Sequence, residues 1–492
     1  MQGIAGSGGL ACPDNLFEYV ADQADPAPVR PVPALHGKPL KAGRGTFFDE
    51  HIDVRDPEGE RLTERLVDIY DRVEPRQRKR GRDALRLRLR RLAANALRGS
   101  FYRDSASVLY FRKADTRHYD DKPGWMKHGA LADVVDAMAE AGLVETLTGQ
   151  RMPWYSKTPS TASSYRATSN LIALALDCGV IEQSVECRLP VEELVRLYGP
   201  KGNTEFDWHR GGIVHPAKGK RIHFTPNEET EQWTAALAAI NAFYRQQTIG
   251  LSLSADELTG WLGGTGYRLP ELFKTDLYRI FNNGNEADPR FDQGGRMFGG
   301  WWMYVPSPLR RAITINDKPT VEIDYRGCFP RMLYHERGID CADDPYAIPE
   351  MEAYERETGV APRTYRPCVK WLMQILLNGK GRPGAVERPV DILYPPDLSI
   401  DRMASMIVTH HQPIGDAFGK GDGLRLMRTE ADIALEIVST ATTEGWTALP
   451  VHDAFITTDD QRDRLRTAMI DAYVARLGRE PVLKEGWEER NG

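Results

Sequence analysis

Cysteine is sparse in this chain of 492 residues: there are six, scattered, and none forms a CxxC pair. That excludes a disulfide framework and a thiolate zinc site of ordinary spacing, and it fits reduced thiols in a cytoplasmic setting. Long apolar runs are missing too. None approaches the roughly 18 to 20 residues that span a bilayer, so no membrane partner is expected. Met1 to Pro13 lack the basic start and apolar stretch of a secretory signal. Positive charge is not in surplus, the formal net charge being -6; a basic surface, if there is one, must be local. The glycine-rich stretch Gly3 to Gly9 is followed by no Lys-Ser/Thr and preceded by no strand pattern, so it is not a phosphate loop.

What is present is an ordinary globular composition, 41% hydrophobic and 27% charged, at a length that suggests two to four domains. Residues 1–75 read as an arm or linker, rich in Pro and Gly up to about residue 55. The chain then turns basic, with Arg76, Arg78, Lys79, Arg80, Arg82, Arg86, Arg88, Arg90, Arg91 and Arg98 on a stretch whose Leu85, Leu89 and Leu92 recur at helical spacing. Two readings stand: a helix that contacts phosphate backbone, or a solvated face whose arginines pair with acidic neighbours. From 129 to 157 an apolar helical face (Leu131, Val134, Val135, Met138, Ala141), a capping Gly142 and a strand from Leu143 lead to Thr148-Gly149-Gln150, read as a hairpin tip. This is a winged-helix pattern, or else a small α+β module packed on an enzyme. Residues 227–285 read as mostly helical, with Trp233, Leu237, Ile240 and Phe243 at helical spacing. No internal repeat is evident.

Chemistry concentrates near the C-terminus. In PTVEIDYRGCFPRMLYHERG, Val321 and Ile323 alternate with polar residues and meet Asp324, so a strand delivers a carboxylate at its end. In WTALPVHDAFITTD, a second short strand meets His452-Asp453 at a turn before Phe455 and Ile456 lead out. Each aspartate alone is an ordinary turn or cap residue. Together, on neighbouring strands, they can hold two magnesium ions, with manganese as an alternative, for in-line phosphoryl displacement. Between them, TYRPCVKWLMQILLNGK is an apolar helix with Arg366 and Lys370 one turn apart on one face. Pro367 is tolerable only in a first turn, so the helix should start near Tyr365. A fork and a point charge one turn apart can grip a triphosphate; the bland alternative is two solvent-facing charges.

In this order the three segments resemble motifs A, B and C of family A DNA polymerases and the related single-subunit RNA polymerases. Asp324, Tyr325, Arg331, Leu333 and His335 fall in the motif A register, Arg366, Lys370 and Gly379 in that of motif B, and His452-Asp453 in that of motif C. Gly295-Arg296 and Arg310-Arg311 resemble the family's primer-contacting arginine and the run-up to motif A, and Ala431-Asp432-Ile433 its primer-side helix, with Met427 where a glutamine is usual. The resemblance covers about residues 290 to 492. Asn378 stands where the family has a tyrosine, and Ala454 where it has a carboxylate or hydroxyl. The stretch between Lys370 and Asp453 is short, which implies trimmed fingers, and no acidic triad for a proofreading exonuclease is evident. Gly294 to Trp302, GGRMFGGWW, loosely resembles proteins of bacterial mobile elements, which implies replication proteins of such an element as partners.

The resemblance implies an α+β fold: a right-hand palm with small fingers and a helical thumb, preceded by a winged-helix-like region. The expected division is arm or linker (1–75), basic helix and winged-helix-like DNA-binding region (76–226), thumb-like helical region (227–310), and palm with trimmed fingers (311–492). It implies a nucleotidyltransferase with Asp324 and Asp453 as metal ligands and Arg366 and Lys370 as catalytic cations. Phe329, Tyr325, Asn378, Gly379 and His452 would meet the substrate. Arg296, Arg310, Arg311 and Arg331, with Arg86, Arg88, Arg90 and Arg91 of the basic helix, would meet nucleic acid. Phe329, five residues after Asp324, would lie under the incoming sugar and clash with a 2'-OH, which favours dNTPs on a DNA primer-template; its other reading is a core residue. An RNA polymerase or primase on the same palm, an untemplated nucleotidyltransferase, and an initiator-like DNA-binding protein with a degenerate palm are the alternatives.

Overall fold

A computed structural model of the chain describes residues 46–74, 81–102, 108–110, 124–126, 129–150, 161–200, 205–207, 212–214, 219–254, 256–257, 271–342, 344–379 and 389–486. The expected arm therefore lies outside the described residues up to 45, and so do Arg76, Arg78, Lys79 and Arg80 of the basic run. The described residues divide into two compact units, one holding 46–190 with 253–274, the other 191–252 with 275–486. The divisions expected at 76 and 227 therefore do not coincide with unit boundaries.

In the first unit, residues read as linker are folded: they form β1 (Thr46–Phe47), β2 (Ile52–Val54) and α1 (Glu58–Val73). The basic stretch is α2 (Arg82–Tyr102), and its apolar face, Leu85, Leu89, Leu92, Ala93, Ala96 and Leu97, is buried. It packs against Leu62, Leu66 and Tyr70 of α1 in one apolar core, where each large buried side chain contributes about 1.5–3 kcal/mol. Asn95, also buried, ties α2 to the strand connection by bonds in both directions with the Asp49 backbone, at 3.0 and 2.9 Å. The sheet of this unit has order β1-β3-β5-β4, with β3 (Val108–Tyr110), β4 (Val144–Leu147) and β5 (Ser163–Ala167). Helix α3 (Ala130–Glu140) precedes β4, and Gly142, at φ +71°, turns the chain between them, as its sequence suggested. The hairpin tip is not at 148–150, however: β4 and β5 stay paired past Leu147, and Thr161 still donates to the Gln150 carbonyl at 2.9 Å. Helix α4 (Ser169–Asp177) and β6 (Val185–Cys187), antiparallel to β2, complete the unit.

The second unit holds the remaining strands. β7 (Val195–Tyr198), β8 (Glu205–Asp207), β9 (Gly212–Val214) and β10 (Arg221–Ile222) precede α5 (Glu228–Tyr244), whose start is fixed by an Asn227–Thr230 capping box. The stretch expected to be mostly helical contains, among the described residues, this helix and then β11 (Ile249–Leu251) and β12 (Tyr278–Phe281), followed by β13 (Gly294–Phe298). The helical spacing was real for Trp233, Leu237 and Ile240, which are buried, but it ends at Tyr244. β10-β7-β12-β13 form one sheet. The other, of order β11-β14-β15-β17-β16, contains β14 (Ile313–Ile315), β15 (Lys318–Tyr325), β16 (Leu449–Val451) and β17 (Ala454–Thr458), and β18 (Leu483–Glu485) adds to β15.

Helices α6 (Cys328–Glu336), α7 (Pro349–Thr358), α8 (Arg366–Asn378), α9 (Ile400–His410), α10 (Gly423–Thr443) and α11 (Arg462–Leu477) complete it. Pro367 does sit in the first turn of α8, with Tyr365 just before it. Helix α10 lies along β13 and buries Leu426, Ile433, Ile437 and Val438 at helical spacing. The mixed helices and sheets make an α+β fold. No described helix is long and apolar enough to cross a membrane.

Candidate active site

The two aspartates come together through strand register. β15 and β17 are antiparallel, and Asp324 pairs with Ala454, the residue after Asp453. The Tyr325 N–H donates to the Asp453 carbonyl at 3.2 Å. Asp453 itself sits in the two-residue connection His452-Asp453 between β16 and β17, which pair through Val451 and Ala454. His452 takes φ +61°, a left-handed conformation in which histidine is one of the commoner non-glycine residues. Asp324 Oδ1 is buried with no hydrogen-bond partner. Burial first, and then the Asp453 charge, push the Asp324 carboxyl far above the usual carboxylate range, with Lys370 pulling the other way.

Around this pair the basic side chains are mostly engaged. Arg310 forks onto Glu322, two residues before Asp324, at 2.7 and 2.6 Å. Arg296 of β13 forks onto the buried Glu430 of α10, at 2.9 and 3.0 Å, and lies 5.8 Å from the centre of the half-buried Phe329 ring. Burial pushes the Glu430 carboxyl up to about 7 against the pull of Arg296, with the Asp453 charge adding to the rise. Burial, and then Arg296 and Arg310, hold His452 down at about 3, so the ring is neutral near pH 7; its Nδ1 is buried without a partner. Arg366 forks onto Asp344 at 2.6 and 2.9 Å, and both Arg366 and Lys370 lie over the Tyr346 ring, at 5.2 and 5.9 Å from its centre. Lys370 is exposed, as are Asn378 and Arg311. Gly379 ends α8, and Asn378 packs so closely on Gly423 that a Cβ there would fall 1.9 Å from its Oδ1.

Two expected contacts are placed otherwise. Tyr325 faces the core, 4% exposed, where its hydroxyl donates to the Met469 carbonyl at 2.6 Å and its ring meets Tyr473 and Phe455. Alternation along β15 puts it on the face opposite Asp324. Arg331 is 3% exposed, and its guanidinium donates to the carbonyls of Arg326, Cys341 and Ala342 at 3.1–3.3 Å, so it staples a loop and does not face nucleic acid. In the other unit the four arginines of α2 are paired. Arg86 meets Glu60 and Glu64, Arg90 meets Asp53, Asp56 and Glu60, Arg91 meets Asp53, and Arg88 donates to the Trp125 carbonyl. This is the arrangement of the second reading of the basic stretch, the acidic neighbours coming from β2, α1 and the turn between them.

Glu430 escaped the sequence reading. The signal was there: on α10 it falls between Leu426 and Ile433 on the apolar face, where an unpaired carboxylate would be costly. Asp344, whose arginine partners Arg363 and Arg366 lie 19 and 22 residues on, left no comparable trace. Asp432, on the same helix, anchors Arg279 at 2.8 Å and Arg428 at 3.0 Å, and Arg279 is itself wholly buried, 4.8 Å from the centre of each ring of the stacked Trp233–Phe281 pair.

No family model matches the chain, and no curated protein matches it in sequence. Among solved structures the chain is similar to the POL domain of Pol1 from M. smegmatis, in complex with DNA primer-template and dNTP. The identity is 14%, the TM-score 0.20, and the match covers 39% of this chain and 45% of that one. The chain thus spans less than half the length of the protein it matches.

Proposed function

We propose that this chain is a metal-dependent nucleotidyltransferase that extends a DNA primer on a template from dNTPs. The observation that carries the reading is the meeting of two carboxylate residues at one end of a ladder, Asp324 paired with Ala454 and Asp453 in the turn just before it, with a buried oxygen of Asp324 left without a hydrogen-bond partner. Two such carboxylates repel each other unless a cation lies between them, and a buried unpartnered carboxylate oxygen is costly unless something takes its lone pairs. The residues fit magnesium or manganese. Among the described residues there is no group of three or more His, Cys, Asp or Glu that could hold a metal; magnesium commonly takes only one or two carboxylates and fills its sphere with water and substrate phosphates.

When bound, such ions would stabilise the attacking and leaving oxygens of an in-line displacement. The rest falls to the chain. Lys370, exposed and close enough to Asp324 to lower its carboxyl, offers a point charge where negative charge builds on the leaving phosphates. Arg296, fixed by Glu430 and covered by Phe329, offers a guanidinium of set orientation next to the carboxylates. Neutral His452 can accept or donate a hydrogen bond at the same edge without adding repulsion to a cation.

The test is primer extension on a defined DNA template with each nucleotide pool and magnesium or manganese. Asp324→Asn and Asp453→Asn should each reduce incorporation by at least about 10³-fold with the fold intact. Extension by either purified variant at the parent rate would remove the assignment, and incorporation of rNTPs in preference to dNTPs would transfer it to RNA synthesis.

A further inference from the structure

On the side of α10 turned away from Glu430, a groove of about 400 Å³ opens between α5, α10 and α11. Arg428, Asp432, Leu435 and Ser439 follow one another along it at helical spacing, and in helical projection they lie opposite Glu430. Helix α5 brings Glu229, Trp233 and Ala236 to the groove, and α11 brings Arg476.

Arg428 sits at its centre. The Nη1 group donates to Asp432 at 3.0 Å, and the guanidinium lies 4.6 Å from the centre of the Trp233 ring, which stacks in turn on Phe281. The Nη2 group donates to Glu229 at 2.9 Å, whereas Nε is buried and has no hydrogen-bond partner. Nε and Nη2 form the edge by which Arg296, Arg310 and Arg366 each hold a carboxylate with two bonds. At Arg428 that edge is half used: Glu229, 55% exposed, takes one N–H and leaves the other. A buried donor left without an acceptor is costly.

Nor is the guanidinium free to turn. A Cβ at Gly295 would fall 3.3 Å from Arg428 Cδ and 2.8 Å from Arg279 Nη2, so the bare backbone there, at φ +85°, lets both arginines pack. Asp432 is engaged by three guanidinium groups, taking Arg279 on one oxygen at 2.8 Å and Arg428 and Arg476 on the other. The charges balance, with Arg279, Arg428 and Arg476 against Glu229, Asp432 and Glu436. It is the half-used edge, then, and not a surplus of charge, that points to a ligand.

The group already at that edge indicates the chemistry. It is a carboxylate, whose two oxygens match two parallel N–H groups. A phosphate dianion would bring a second charge close to Asp432, itself only 10% exposed. Ala236 and Leu435 give the groove an apolar wall, and its volume is that of a small-molecule site. We propose that this groove binds a small organic carboxylate with an apolar body, the carboxylate on Nε and Nη2 of Arg428 in place of Glu229 and the body on Ala236 and Leu435. The site shares no residue with the Asp324 and Asp453 pair and does not rest on the nucleotidyl-transfer reading.

The experiment is a ligand-observed NMR titration of the full chain with phenylacetate, with phenylacetamide as its neutral twin. Phenylacetate should bind saturably and phenylacetamide should not, and Arg428→Gln should weaken phenylacetate at least about tenfold. Glu229→Gln removes the competing carboxylate and should tighten binding several-fold, whereas Glu228→Gln, which removes an equal charge from the next residue, should leave it unchanged. Ser439→Trp fills the groove without removing a charge and should abolish binding, which decides the matter should Arg428→Gln not fold. Asp324→Asn should bind phenylacetate as the parent does. Equal binding of phenylacetamide, parent-like binding by Ser439→Trp or by folded Arg428→Gln, or no saturation below about 10 mM overturns the proposal. Weaker binding by Glu229→Gln, or displacement of phenylacetate by inorganic phosphate, overturns the placement of a carboxylate on this edge.

Discussion

Asp324, which pairs with Ala454, and Asp453, in the turn just before it, meet at one end of one ladder, where the Tyr325 N–H donates to the Asp453 carbonyl at 3.2 Å. Because β15 and β17 are antiparallel and in register there, a slip of one residue would turn Asp324 into the core where Tyr325 lies. The buried Ile323 and Phe455, which face each other in the ladder, oppose that slip.

The first prediction follows from the repulsion this geometry sets up. Burial and Asp453 raise the Asp324 carboxyl, so the folded protein without metal holds a proton that the unfolded chain releases. The native state then binds more protons, and stability should fall as pH rises above the ordinary carboxylate range. In EDTA near pH 7, Asp324→Asn should melt higher than the parent, by about 2–4 °C for each kcal/mol of relieved strain. Magnesium should raise the melting temperature of the parent and not of the variant. A variant that melts well below the parent in EDTA would mean the carboxylate is stabilised by something other than a cation.

A second prediction concerns α2. Since Arg86, Arg90 and Arg91 are paired with carboxylates, replacing Arg86, Arg88, Arg90 and Arg91 by Gln should cost stability before it costs binding. Arg90 and Arg91 are only 12% and 18% exposed, so most of the loss should come from them, about 3–5 kcal/mol for a buried pair broken on one side. Were these arginines phosphate contacts, the log-log salt slope of DNA binding would instead fall by about 0.7 to 0.9 for each one lost. Thermal melts and salt titrations on the same variants separate the two, and an unchanged melting temperature with a flattened slope would reinstate the phosphate contact.

The contrast between these two sites shows what the chain's pattern discloses. Strand alternation ends in a carboxylate at Asp324 and again at Asp453, and Pro367 can occupy only a first turn, so two strands and one helix of the site could be placed from local rules. Partners at long sequence distance could not. Asp53 and Glu60 neutralise α2 from 37 and 30 residues away, and Asp344 collects arginines 19 and 22 residues on, pairings that no periodicity encodes. The arm reading failed at 46–74 because the Pro and Gly of the preceding residues masked a helix whose apolar positions, Leu62, Leu66 and Tyr70, are regularly spaced. The helical reading of 227–285 failed past Tyr244 because short strands such as Tyr278–Phe281 have too few residues to show a period.

A third prediction is a pH dependence of folding. His411 is buried, its Nδ1 3.0 Å from the Tyr334 hydroxyl and its Nε2 2.8 Å from the Pro345 carbonyl. A neutral ring protonated on Nε2 satisfies both contacts. Burial, and then His410, hold it down at about 4 against an ordinary 6.5. As pH falls from about 6.5 to 4 the unfolded chain gains a proton that the folded chain refuses, so stability is lost in that window, at up to about 1.4 kcal/mol per pH unit. His411→Gln should melt lower than the parent near pH 7 and show a shallower loss between pH 6.5 and 4. Parallel melting curves for parent and variant across that window would mean His411 takes up its proton in the fold.

The last prediction tests sugar choice. Phe329, the second residue of α6, is half-buried, and its ring lies against Arg296, whose guanidinium is fixed by Glu430. It is neither a free gate nor a fully buried core residue, so shrinking it should have two separable effects. If the ring excludes a 2'-OH, Phe329→Ala should raise the kcat/KM for rNTPs in absolute terms, not merely lower that for dNTPs, because a clash is relieved. The same change uncovers one face of Arg296, and the lost ring contact should cost about 1 kcal/mol or more of stability beyond the apolar area removed. Phe329→Leu, which keeps apolar cover but narrows the side chain, should restore much of the melting temperature and less of the discrimination. A rise in rNTP use that followed the melting temperature through Ala and Leu would make the ring a packing residue, and a parent enzyme that already prefers rNTPs would show that Phe329 excludes no ribose.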